Sequence, residues 1–83
     1  MDTQTQVLRI LDDVLCLGGR AMAFGTHTPL LGAIPELDSM AVVTLITTLE
    51  DRFGIGVDDD EISGDVFASV GSLCAFVNDK LAA

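Results

Sequence analysis

Three stretches of this chain repeat apolar residues at intervals of three and four, a period that leaves few choices of fold. Val7, Ile10, Leu11, Val14 and Leu15 make the first stripe, and Val42, Ile46, Leu49 and Phe53 the second. Val70, Leu73, Cys74, Val77 and Leu81 make the third. Each stripe lines one side of an α-helix, and each needs other apolar surface to cover it. Only four residues are aromatic, all of them Phe, which suits aliphatic helices better than strands. The pattern predicts an all-α bundle of four helices, the third very short, with a long loop between helices one and two. There is no internal repeat, linker or second domain, so residues 1–83 read as a single domain. A chain of this size supports one core and leaves no room for a deep catalytic cleft.

Local signals set the expected boundaries. Thr3 can cap a first helix over 3–17, which Gly18 and Gly19 end by supplying a backbone free to take positive φ. Residues 18–37 hold Gly25, Pro29, Gly32 and Pro35, each unfavourable inside a helix. Met22, Phe24, Leu30, Leu31, Ile34 and Leu37 are spread along the same stretch, so it is expected to lie packed over the bundle, with a short helical turn at 20–24. A second helix should begin at Asp38 or Ser39 and end at Phe53, with Gly54 just beyond. Val43 and Leu45 flank its core stripe, while Ala41, Thr44, Thr48 and Asp51 are placed on the solvent side. Ser63 can cap a short turn at 64–67, and Ser69 a last helix.

Charge excludes some roles. Thirteen acids against four bases give a net charge of −9, which repels phosphate backbones and anionic headgroups and argues against nucleic-acid or membrane-surface binding. The same charge speeds encounter with proteins bearing basic patches. Cys16 and Cys74 match no metal or redox spacing and fall on apolar stripes, so both read as buried free thiols. The first residues lack the basic and apolar regions of a signal peptide, and no apolar run reaches membrane-spanning length, so the chain reads as cytoplasmic.

Enzymatic chemistry finds little support. Ser39 would need a base and an oxyanion hole to act as a nucleophile, yet the lone histidine, His27, sits in the long loop, and the flanks of Ser39 do not form a nucleophile elbow. The consecutive acids Asp58, Asp59, Asp60 and Glu61 lack the alternation and glycine bend of a calcium loop, so no metal site is expected. Ser39 then remains as a point of attachment. A helix N-terminus offers unpaired N–H groups and a positive dipole end to a bound anion, while Glu36 and Asp38 would turn an attached phosphate outward.

The segment Leu37-Asp38-Ser39-Met40, opening an amphipathic helix after a long loop and closing at Phe53-Gly54, resembles the acyl carrier protein family. Asp60-Glu61-Ile62 and Phe67-Ala68-Ser69-Val70-Gly71-Ser72-Leu73 resemble that family's third and fourth helices. The resemblance runs from the first helix to Leu81. It implies a non-catalytic carrier in which Ser39 receives a phosphopantetheine arm from coenzyme A through a phosphopantetheinyl transferase. The terminal thiol of the arm then holds acyl groups as thioesters between acyl-loading and acyl-accepting enzymes. Asp38 matches the acid before the serine, a cap and transferase contact. Met40 matches the apolar residue after it, a partner contact where relatives often carry Leu.

Two departures from the family pattern shape the expectation. Where fatty-acid carriers bear acids on the exposed side of the second helix, this chain has Ala41, Thr44, Thr47 and Thr48. Its charge gathers instead at Glu36 and Asp38, at Glu50 and Asp51, and from Asp58 to Asp65. Glu36, Asp38, Met40 and residues Asp58, Asp59, Asp60 and Glu61 are therefore the candidate partner-recognition residues of a specialised, monomeric carrier with dedicated enzymes. Its cargo belongs to a fatty-acid-like, polyketide or other specialised acyl pathway. The alternatives are a peptidyl or aminoacyl carrier, which shares the modified serine, and an unmodified acidic adaptor, in which Ser39 is only a cap.

Overall fold

The computed structural model describes all residues except Met1, Glu36 and Ala83, and of Asp59 only the backbone. Helix α1 spans Thr3–Leu15. Its cap is Asp2 rather than Thr3, the Asp2 carboxylate accepting from the Thr5 N–H at 3.0 Å. The Thr5 side chain first, and this N–H bond second, lower the Asp2 pKa from its ordinary value. Val7, Leu8, Ile10, Leu11 and Leu15 are buried. The helix stops two residues before Gly18, because Cys16 itself takes the left-handed conformation at φ 54°. The Leu17 N–H returns to the Asp12 carbonyl at 3.0 Å, which turns Leu17 into the core at 3% exposure. A left-handed non-glycine residue is strained, and the burial of Leu17 offsets that strain. Cys16 is consequently exposed, contrary to its expected burial, while Cys74 is buried as expected and both thiols are free.

The long connection does pack on the bundle. A 3-10 turn forms at Arg20–Ala23, where a helical turn was expected, and the Asp12 carboxylate accepts from the N–H groups of Gly19 (2.7 Å) and Ala21 (3.3 Å) at its start. Leu30 and Leu37 are buried, and Phe24 and Ile34 pack against the core, while Met22 and Leu31 stay about half exposed. The loop is tied to the start of the last helix by Leu30 N–H to Ala68, Leu31 N–H to Phe67, Val70 N–H to Thr28 and Gly71 N–H to Thr26, all between 2.8 and 3.2 Å. Pro29 and Ser69 form an isolated antiparallel bridge. Loop carbonyls thereby satisfy the first N–H groups of that helix, which would otherwise lack partners. Gly71 permits the approach, since a Cβ there would lie 2.7 Å from Thr26 Cγ2.

Helix α2 spans Ser39–Phe53 and ends at Gly54 with φ 67°. Leu45, Ile46 and Leu49 are buried, with Val42 and Phe53 packed beside them. Its faces differ slightly from the expected ones: Ala41 is half-buried against the core, and Val43 points outward at 62% exposure. Helix α3 spans Val70–Ala82. Ser69 and Ser72 cap it reciprocally, each hydroxyl accepting from the other residue's N–H at 3.0 and 3.2 Å. Leu81, expected in the core stripe, is 45% exposed.

Among the described residues the fold is all-helical, with three α-helices where four were expected. The expected third helix at 64–67 is a run of turns whose N–H groups reach back three residues, Val66 to Ser63, Phe67 to Gly64 and Ala68 to Asp65. A single 3-10 turn stands earlier, at Asp59–Glu61. Gly64 and a run of like charges weaken helix formation here, and only Phe67, at 2% exposure, is drawn deep into the core. Helix α1 packs against both α2 and α3. The core holds Leu11, Leu30, Leu45, Leu49, Phe67, Leu73 and the valines at 7, 70 and 77, with no buried polar or charged residue among those described.

Candidate functional site

The start of α2 is held from both sides. Leu37 is buried, and its N–H bonds to the Ile34 carbonyl at 3.0 Å, fixing the chain as it enters the helix. Asp38 then takes an extended conformation, and its carboxylate accepts from the Ala41 N–H at 2.8 Å. Its carbonyl accepts the first helical bond, from the Val42 N–H at 2.9 Å. Asp38 therefore fills the role of helix cap. Ser39, the first helical residue, is exposed, and its hydroxyl makes no hydrogen bond with any described residue. The backbone N–H groups of Ser39 and Met40 also lack acceptors among the described residues, as the first N–H groups of a helix do.

What this arrangement offers is a hydroxyl with no structural task, on a rigid helix end, facing water. A phosphoester on it would meet free N–H groups and the positive end of the helix dipole, while the adjacent Asp38 carboxylate turns it away from the surface. No described side chain walls off the position. Met40 beside it is 75% exposed, and Val43, one turn on, presents a second apolar side chain. Thr44, Thr47 and Thr48 bond back to the carbonyls of Met40, Val43 and Thr44 at 2.8 to 3.1 Å, so this part of the helix is neutral.

The expected acidic residues are treated unequally. Glu36 lies outside the described residues, as does the side chain of Asp59. Asp58 and Asp60 are exposed. Glu61 is engaged internally: one carboxylate oxygen accepts from the Asp58 N–H at 3.0 Å and the other pairs with Lys80 on α3. The Lys80 contact, with the Asp58 N–H second, holds the Glu61 carboxyl below its ordinary value. Glu61 is thus a strut between the 3-10 turn and α3 before it is a free surface charge. A cavity of about 200 Å³ lies beyond it, lined by Leu31, Val42, Ile62, Ser63, Gly64 and Phe67. Neither this cavity nor the Glu61–Lys80 pair was legible in the sequence, because both join residues far apart along the chain.

His27 is exposed in the loop and is not bonded to Ser39. Among the described residues no cluster of His, Cys, Asp and Glu could hold a metal ion, and no helix is long and apolar enough to cross a membrane.

Comparison with known proteins agrees with this geometry. A family model described as the phosphopantetheine attachment site matches residues 6–77. The solution NMR structure of a holo acyl carrier protein from Nitrosomonas europaea is 52% identical, covers 100% of both chains and superposes with a TM-score of 0.92. No curated protein matches. The free, exposed hydroxyl and open helix end fit a phosphodiester-linked arm, whose chemistry is to hold an acyl group as a thioester. This chain belongs to the acyl carrier protein family, non-catalytic carriers with covalently attached phosphopantetheine that serve phosphopantetheinyl transferases and acyl-handling enzymes.

Proposed function

We propose that Ser39 Oγ is the attachment point of the phosphopantetheine arm and that the chain acts as one carrier unit, a cytoplasmic monomer. The observation that carries this reading is the division of labour at the helix start. Asp38 caps α2 through its bond to the Ala41 N–H at 2.8 Å, and Ser39 is left exposed with its hydroxyl unused. A serine kept only as a cap would show the reverse.

Asp38 and Met40 then form the near rim of the partner surface, with Glu36, Asp58, Asp59 and Asp60 supplying negative charge for enzymes with basic patches, while Glu61, paired with Lys80, holds the 3-10 turn of Asp59 and Asp60 in place. The neutral outer side of α2, from Met40 through Val43 to Thr47, supports partners other than the housekeeping fatty-acid enzymes, and so a specialised acyl pathway. The apolar cavity beside Val42 suits transient lodging of an aliphatic cargo.

The test is intact-mass measurement of wild type and Ser39→Ala after incubation with coenzyme A and a broad-specificity transferase. Wild type should gain one phosphopantetheinyl mass and the variant none. Modification of the variant, or an unmodified wild type, would reject the assignment, and the latter would favour the acidic adaptor.

A further inference from the structure

Arg9 and Arg52 are two of only four basic residues in a chain with thirteen acids. Both line one cavity of about 200 Å³ between α1 and the last turn of α2, with Gln6 beside them and the buried Ile10 as its apolar wall. Neither guanidinium makes a hydrogen bond or ion pair with any described residue. This is not for want of acids nearby in sequence. Asp12 stands three residues after Arg9, but its carboxylate is committed to the Gly19 and Ala21 N–H groups at 2.7 and 3.3 Å. Glu50 stands two residues before Arg52, but its carboxylate accepts from the Val57 N–H at 2.9 Å. Arg9 also lines a second hollow, together with Asp12, Asp13, Gly19 and Met22. The hollow shared by the two arginines has no acid in its lining.

Two like charges converging on one hollow repel each other unless an anion lies between them. We propose that this cavity is a binding site for a small oxyanion, a phosphate or a carboxylate, gripped by Arg9 from α1 and Arg52 from α2. A guanidinium presents its N–H groups as a planar fork matched to two oxygens of such an ion, and two forks from different helices can hold it on two sides. The site lies about 20 Å along α2 from Ser39, thirteen residues at 1.5 Å each. It is therefore set apart from the Ser39 hydroxyl, at the other end of α2, and an oxyanion bound there ties that end of α2 to α1.

The full-length protein, isotope-labelled, is titrated with inorganic phosphate and separately with succinate, ionic strength being held constant with chloride, while the side-chain Nε–Hε signals of both arginines are followed by NMR. Both signals should move together and saturate in at least one arm, and the tighter arm distinguishes a phosphate from a carboxylate ligand. Arg9→Gln and Arg52→Gln should each weaken the site about tenfold or more, the loss of a charge-assisted contact. Asp13→Asn, which removes an acid from the second hollow that Arg9 lines, should tighten it. The two arginines are exposed, so the variants are expected to fold, and far-UV circular dichroism checks this. Drift without saturation in both arms overturns the site, as does saturation that neither arginine substitution alters.

Discussion

Asp38→Ala and Ser39→Ala, measured side by side, separate the two roles that meet at the start of α2. Asp38→Ala removes the carboxylate that accepts from the Ala41 N–H at 2.8 Å and takes a negative charge from the positive end of the helix. Loss of such a cap costs about 0.5–2 kcal/mol, typically ~1, and in a chain of 83 residues each 1 kcal/mol lowers Tm by about 4–8 °C. Ser39→Ala removes no hydrogen bond to a described residue and introduces a better helix former, so its effect should lie within about 0.5 kcal/mol of zero. Urea unfolding followed by circular dichroism, with slopes checked for equality, gives both values. The modification assay should rank the variants in the opposite sense, with Ser39→Ala unable to take the arm and Asp38→Ala retaining its hydroxyl. The reasoning fails if Ser39→Ala is as destabilising as Asp38→Ala, because the serine would then be capping the helix. It fails equally if Asp38→Ala is neutral.

Two further predictions test the frame around the site. Gly71→Ala would place a Cβ 2.7 Å from Thr26 Cγ2 and 3.0 Å from the Thr26 carbonyl oxygen, pushing away the loop that caps α3. Despite the better helix propensity of Ala, a net loss of about 1–3 kcal/mol is expected in denaturant unfolding, with partial recovery when Thr26→Ser removes the methyl group. The Glu61 pKa is depressed, chiefly by its bond to Lys80, from an ordinary value of 4.5. Its contribution is therefore present above about that pH and is lost as pH falls through the lower folded-state value. Glu61→Gln should make the acid limb of a stability–pH curve less steep below pH 4.5, and an unchanged limb would show that the pair with Lys80 does not hold in solution.

Much of this molecule is written locally. Helices α1, α2 and α3 are announced by their apolar stripes, and α2 has both ends marked within the sequence, by Asp38 before it and Gly54 after it. Ser39 was legible as a candidate for the same reason, since cap, first helical residue and helix face all follow from neighbours within four positions. Errors arose where local signals competed. Thr3 has the right side chain to cap α1, yet Asp2 one residue earlier makes the bond. Gly18 offered an obvious stop, yet burying Leu17 ended the helix at Cys16. At 64–67 a serine cap and two apolar residues suggested a helix that Gly64 and a run of acids did not sustain.

The sequence by itself determined that this chain forms amphipathic helices around an aliphatic core and begins one of them with Asp-Ser. Those properties depend on spacing and on side-chain chemistry within a turn or two. The choice between Asp38 and Ser39 as cap is also local, three residues from Asp38 to Ala41, and the structure gives it to Asp38, leaving the Ser39 hydroxyl without a task. Only the tertiary structure decided that Glu61 is spoken for by Lys80, that the missing side chain of Gly71 in α3 lets the long connection cap that helix, and that Arg9 and Arg52 share one hollow. Each of these joins residues on different elements, and the geometry of such a meeting is set by how the helices pack, which no short window of sequence contains.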